Sequence, residues 1–257
     1  MLFARIGYYR VTVNVTPNRY NDSRFDDRRS GVLRAQPGHL VDSDLVMRIH
    51  VCRTMWSCFA ALSQLSSTRH LVLATVFQSL VAALVQCRLD YGNGTLVGLP
   101  AYLVRRLQSV RNADARLVFR LRRSDHITDA LVSLHWLRVP KRIIFKIAVQ
   151  TYRALHGDAP QYLRLFTPIA DISSRQRLRS SSSDDLLVPV IRLPTIGRRT
   201  FLVAGARTWN DLPVDVASAP SLLTFRKRLK LHLFRLSYPG ISLVLWIINC
   251  FSLWSLW

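Results

Sequence analysis

Between residues 47 and 65 the apolar side chains Ile49, Cys52, Trp56, Phe59, Leu62 and Leu65 recur in steps of three and four. That spacing puts one apolar group on each turn of a 3.6-residue helix and cannot alternate across a strand, so it predicts a helix with one apolar face. The same period returns downstream. A second helix is expected over 71–88 with Val76, Phe77, Leu80, Leu84 and Cys87 inward, ending at the turn Tyr91-Gly92-Asn93-Gly94. Pro100 opens a third, in which Leu103, Leu107, Val110 and Leu117 form a stripe while Arg105, Arg106, Arg111 and Arg116 leave mostly on other faces. Thr128 is expected to N-cap a short helix to 134. Pro140 precedes the stripe Ile143, Ile147, Thr151 and Leu155, with Gly157 as the stop. Helices resume over 201–210 and 221–236.

A chain patterned this way reads as mainly α. Strand signals are confined to 8–15 and 186–193. Residues 1–39 are expected to form an irregular, poorly ordered leader, with a polar, turn-rich run over 18–38, and 40–166 a helical domain. Next comes a basic, serine-rich linker at 167–185, TPIADISSRQRLRSSSSDD, which lacks periodicity. A small mixed helix and strand region occupies 186–238, and an apolar tail 241–257. No fixed-period repeat is visible. With 257 residues, 49% of them hydrophobic, the chain is long enough for a substantial buried core.

Charge narrows the partners. The formal net charge is +21, which favours polyanions such as RNA, DNA or an anionic membrane face. Lys141, Lys146, Lys227 and Lys230 are the only lysines, and every acid is an aspartate. The rest of the basic surplus is arginine, which suits bidentate phosphate contacts and stacking on bases. It is concentrated in two regions, 101–165 and 173–235. The densest candidate set for nucleic-acid binding is Arg105, Arg106, Arg111, Arg116, Arg120, Arg122 and Arg123, joined by Lys141 and Arg142. A second set is Arg226, Lys227, Arg228 and Lys230. If six to ten such side chains met phosphates, affinity would fall by about 10³–10⁵ between 50 and 200 mM salt through counterion release. The bland alternative for both sets is a solvated face.

Catalytic constellations are harder to assemble. Asp26-Asp27 resembles a polymerase carboxylate pair, yet the aromatic that should stand two residues ahead of the pair is replaced by Arg24, and the surroundings read as a loop. Asp184-Asp185 ends a serine run and reads as solvated. Asp42, Ser43 and Asp44 read as helix-capping residues before Leu45. Ser124, His126, His135 and His156 fall on separate elements without a G-x-S-x-G elbow, and His135-Trp136 reads as packing with a satisfied imidazole. Neither a P-loop nor a G-x-G-x-x-G fingerprint is present. Cys52, Cys58, Cys87 and Cys250 lack zinc-site spacing and read as reduced, buried, small apolar residues. No signal peptide is expected from the first residues.

Several blocks together resemble one family. They are Asp42-Ser43-Asp44-Leu45, RLDYGN at 88–93, GLP at 98–100 and LQSVRNADARLVF at 107–119. SDHITDALVSLHWLRVPKRIIFKIAVQTYRALHG at 124–157, WNDLP at 209–213 and PSLLTFRKRLKLHLF at 220–234 follow in order. From about residue 40 to 234 the chain resembles the region after the polymerase core in reverse transcriptases of non-LTR (LINE-type, jockey-like) retrotransposons. The resemblance implies a thumb-like helical bundle and the segment after it, which grip a template-primer duplex by sequence-tolerant backbone contacts. It also implies that the catalytic aspartates and their magnesium belong to a palm upstream of the matched blocks, so that the expected product is no enzyme by itself and needs no cofactor. RNA or an RNA–DNA hybrid is the implied partner, in the nucleus or cytoplasm. Asp114 departs from the family pattern, which has small apolar residues there, and is expected to cost helix packing.

Two other readings stay open on the residues alone. The tail ISLVLWIINCFSLWSLW, at 241–257, is uncharged and at the short edge of a membrane helix, with RKRLKLHLFR as its flank. This allows a small, basic, tail-anchored membrane protein whose helices serve protein contacts. A transposon relic without a folded product is the other.

Overall fold

A computed structural model of the chain describes residues 33–36, 39–41, 47–172 and 185–240. These residues are mainly α-helical. Two short strands, β1 (Leu33–Gln36) and β2 (His39–Val41), pair antiparallel with a register irregularity between Arg34 and Gln36. They fall where the irregular leader and the start of the helical region were expected. The strand expected at 8–15, the capping residues Asp42 to Asp44 and the pair Asp26-Asp27 lie outside the described residues.

The helices follow the apolar period in existence but not always in face. Helix α1 (Arg48–Thr68) buries Val51, Cys58, Ala61, Leu62 and Leu65. Trp56, expected inward, is 64% exposed, and Phe59 is exposed too. The helix carries two overlapping apolar stripes, and the neighbours it packs on select one of them.

The expected second helix is broken into α2 (Ala74–Val81), a π-turn at Ala82–Gln86 and α3 (Cys87–Asp90). A π-turn inserts extra residue length into the helical repeat and rotates everything after it. Phe77 and Val81 therefore hand over to Val85, Gln86 and Leu89 as the buried row, while Leu84 and Cys87 turn outward. Cys87 was expected inside; Cys58 is buried, and burial pushes its thiol up to about 12. Gly92, at φ 70°, makes the left-handed step after α3 that the turn sequence called for.

A 3₁₀ turn at Asn93–Leu96 leads to α4 (Ala101–Phe119). Short α5 (Thr128–Ser133) follows, with Thr128 as its first residue; Ile127 is the N-cap and supplies no side-chain bond, so the expected Thr128 cap is not formed. Helix α6 (Val139–Leu155) buries Ile143, Ile147, Thr151 and Tyr152 and packs against α4 and against the later helices Phe201–Asn210 and Leu222–Ser237. Its first turn is tied to α4 by the Val139 N–H, which donates to Gln108 Oε1 at 2.9 Å. Gly157, at φ 81°, stops it as expected.

After 3₁₀ turns at Gln161–Leu163 and Ile169–Asp171 come α7 (Pro194–Gly197), α8 (Phe201–Asn210), α9 (Val214–Ala217) and α10 (Leu222–Ser237). The strand expected over 186–193 reduces to one bridge between Pro168 and Leu186. Asn210 satisfies both backbone groups of Leu186, accepting its N–H and donating to its C=O, each at 2.9 Å. Pro189 has no N–H to extend a ladder. The expected linker is pinned at both ends, with the Leu187 N–H on Thr167 O and the Ile169 N–H on Asp185 O; residues 173–184 lie outside the described residues.

The elements on either side of that linker share one core. Tyr152 of α6 stacks on Phe225 of α10 at 4.4 Å between ring centroids, and Trp209 of α8 lies 5.9 Å from the same ring. Tyr238 donates its hydroxyl hydrogen bond to Trp136 O at 2.8 Å. All described residues belong to a single unit beginning at Val32.

Candidate nucleic-acid interface

Helix α4 sorts its arginines by position. At about 100° per residue, Arg105 and Arg116 fall opposite the buried row Leu103, Leu107, Val110, Asp114 and Val118, and Arg106 flanks that row about 40° from Val110. Arg105 and Arg106 are exposed and Arg116 half-buried. Arg106 reaches Cys52 Sγ at 3.2 Å, a weak bond that steers the side chain along α1. Arg120 follows as the C-cap, exposed and at φ 54°. The chain then makes a tight turn in which the Arg122 N–H donates to Asp125 Oδ2 at 2.7 Å, leaving the Arg122 and Arg123 side chains exposed. Six of the seven expected arginines thus lie along one edge of α4 and just past its end.

Arg111 is the exception and a correction. It lies in the buried arc and is 0% exposed, so it cannot meet a phosphate. Its Nη1 donates to Gln86 Oε1 at 2.7 Å, and Gln86 Nε2 donates to Asp114 Oδ2 at 2.6 Å. The Gln86 amide from the π-turn therefore joins a buried guanidinium to a buried carboxyl one helical turn apart. Trp136 supplies a further face, with the Arg111 guanidinium carbon 5.0 Å from its ring centroid. Burial pushes Arg111 down to about 9 and Asp114 up to about 7. Arg111 Nε and Nη2 and Asp114 Oδ1 have no hydrogen-bond partner among the described residues. Asp114, expected only to cost packing, is part of a polar relay inside the core.

Arg142 is the second correction. Both arms of its guanidinium engage the Asp90 carboxylate in a bidentate pair that is largely buried, and Lys146 Nζ lies 3.7 Å from the same carboxylate. Burial pushes Asp90 up, but Arg142, Lys146 and Arg111 outweigh it and hold the carboxyl below its usual range. Arg142 is therefore a structural cation whose outer edge reaches a groove between α6 and α10.

That groove reorganises the second expected set. Arg226 and Lys230 are one turn apart on α10 and line it, facing Arg142 and Lys146, one turn apart on α6. Lys227 and Arg228 stand on other faces, both exposed, and Arg228 Nη1 donates to Asp215 O at 2.5 Å. Lys141 is half-buried and outside the groove lining. Lys146 was not singled out from sequence; its spacing of four from Arg142 was the available signal.

His135 and Trp136 are buried, and burial together with Lys230 holds the His135 imidazole below its usual range, so it packs neutral. His156 stacks on Tyr152 at 3.8 Å and is separate from His135. Among the described residues no group of three or more His, Cys, Asp or Glu side chains is placed to hold a metal ion. Among the same residues no helix is long and apolar enough to cross a membrane, and the tail 241–257 lies outside them. No family model matches the chain, and no curated protein or solved structure is significantly similar to it.

Proposed function

We propose that this protein grips the sugar-phosphate backbone of an RNA–DNA hybrid or RNA duplex without reading its sequence, as the thumb region of a non-LTR reverse transcriptase would, and that it performs no chemistry of its own. The observation that carries the reading is the segregation on α4: Arg105, Arg106, Arg116 and Arg120 lie outside its buried row, and Arg122 and Arg123 extend the line. Arginines held on a rigid helix present forked donors to phosphates at little entropic cost. Nothing in this row reads a base edge, since direct readout needs side chains set into a groove in a defined register.

The full chain should bind a labelled RNA–DNA hybrid in a fluorescence-anisotropy titration. Arg105, Arg106, Arg116 and Arg120 replaced together by Ala should weaken that binding on the order of 100-fold at fixed salt, with the melting temperature held. Arg111 is left out of this variant because its loss would disturb the core. Hybrid binding that survives the fourfold replacement would defeat the proposal.

A further inference from the structure

Trp56 and Phe59 stand on the outer face of α1, 64% and 36% exposed, and neither ring packs on another ring or under a cation among the described residues. Two contacts fix what lies beside them. Arg106 of α4 reaches Cys52 Sγ, one turn before Trp56, and Arg69 at the end of α1 donates to Val118 O at 3.0 Å near the end of α4. The two helices therefore run side by side in the same direction, and the aromatic pair is level with the arginine row from Arg105 to Arg116. Arg53, exposed and one turn before Trp56, brackets the ring from the other side. Helix α1 contains no acid, and the one acid of α4 is the buried Asp114, so every exposed charge on both helices is positive.

We propose that this surface binds unpaired, single-stranded nucleic acid, with one base stacked on Trp56, a neighbouring base on Phe59 and the connecting phosphates on Arg53, Arg105 and Arg106. Such a strand alternates flat apolar rings with negative charge, and the surface offers the complement of both. A partner helix is read by apolar anchors on several successive turns, and a helix lying on a membrane needs an apolar face along its length. Here the stripe is two rings long, runs into exposed Ser63, and is flanked by guanidinium groups whose burial under an apolar partner would be costly. A second copy of this chain would set arginines against arginines. Stacking tolerates any base, so the surface adds affinity for unpaired strand without selecting a sequence. The inference rests on the backbone-grip reading for the arginine contacts of α4, and adds the path a strand takes on leaving the duplex.

The test is a fluorescence-anisotropy titration of the full chain, at one salt concentration, with a blunt RNA–DNA hybrid, the same hybrid carrying a four-thymidine overhang, and that overhang with its bases replaced by abasic sites. Phosphates are common to both overhangs, so the thymidine overhang should bind more tightly than the abasic one on the order of tenfold through stacking alone. Trp56→Ala should remove most of this gain and Trp56→Phe should keep part of it, each with its melting temperature held because the side chain is exposed. Equal affinity for the two overhangs overturns the proposal, as does a gain of the same size in Trp56→Ala. A free twelve-nucleotide strand and its abasic counterpart separate this inference from the grip. A Trp56-dependent preference for the strand with bases, in a protein that ignores the blunt hybrid, upholds the stacking surface and removes the grip. Trp56-dependent binding to phosphatidylserine vesicles, without base-dependent strand binding, assigns the patch to a membrane surface and overturns the proposal.

Discussion

At the scale of single residues, the decisive feature is the buried relay from Arg111 through Gln86 to Asp114. Asp114 is 0% exposed, and burial raises its carboxyl to about 7, well above the roughly 3.9 of an unfolded aspartate. A folded state that holds the proton more tightly than the unfolded chain gains stability as pH falls. This contribution is full below about 4, declines from there to about 7, and is flat above. Asp114→Asn removes the ionisation, so the variant should melt at a higher temperature than the unsubstituted protein at pH 8, with the gap closing towards pH 4. Thermal melts across that range measure it, and a gap that is constant with pH contradicts the account. The relay was half legible in the sequence. Position 111 shares the helical arc of Leu107, Val110 and Asp114, which marks it as interior, but an arginine is so rarely buried that charge outweighed position. Gln86 carried no such signal, because its inward direction depends on the π-turn.

At the scale of elements, existence was readable and orientation was not. Apolar period, Pro100, Pro140 and Gly157 placed α4 and α6 closely. For α1 the apolar arc is wide enough to offer two stripes, and only the packed neighbours choose between them. Strand signals at 186–193 failed because Asn210, distant in sequence, occupies the backbone groups of Leu186. One contact fixes how closely α8 lies on α6. A Cβ at Gly205 would come 2.7 Å from Thr151 Oγ1 and 2.8 Å from the Phe166 ring. Both neighbours are hemmed in, Thr151 being 0% exposed and Phe166 packed edge-on to Phe201 at 5.3 Å. Gly205→Ala should therefore cost about 1–3 kcal/mol through overpacking, despite the better helix propensity of alanine. Urea unfolding measures this, and a stabilised variant would show that α8 sits further from α6.

At the scale of the whole molecule, one core holds together helices from both sides of the basic, serine-rich segment. The large positive charge is thereby divided between two kinds of place. Some cations are consumed in the interior, as with Arg111 and Arg142, and others stand where a polyanion can reach them, as on the outer edge of α4. Sequence order alone merged these classes, because a run of arginines on a helix passes through every face within four residues. The central claim is that the α4 edge meets phosphates, and the salt dependence of hybrid binding tests it most directly. A plot of log affinity against log salt should be steep for the unsubstituted full chain. It should be shallower by about 3–4 for the variant with Arg105, Arg106, Arg116 and Arg120 replaced by Ala, one counterion for each lost contact. Parallel lines from two equally folded proteins would contradict the claim and move phosphate recognition elsewhere on the molecule.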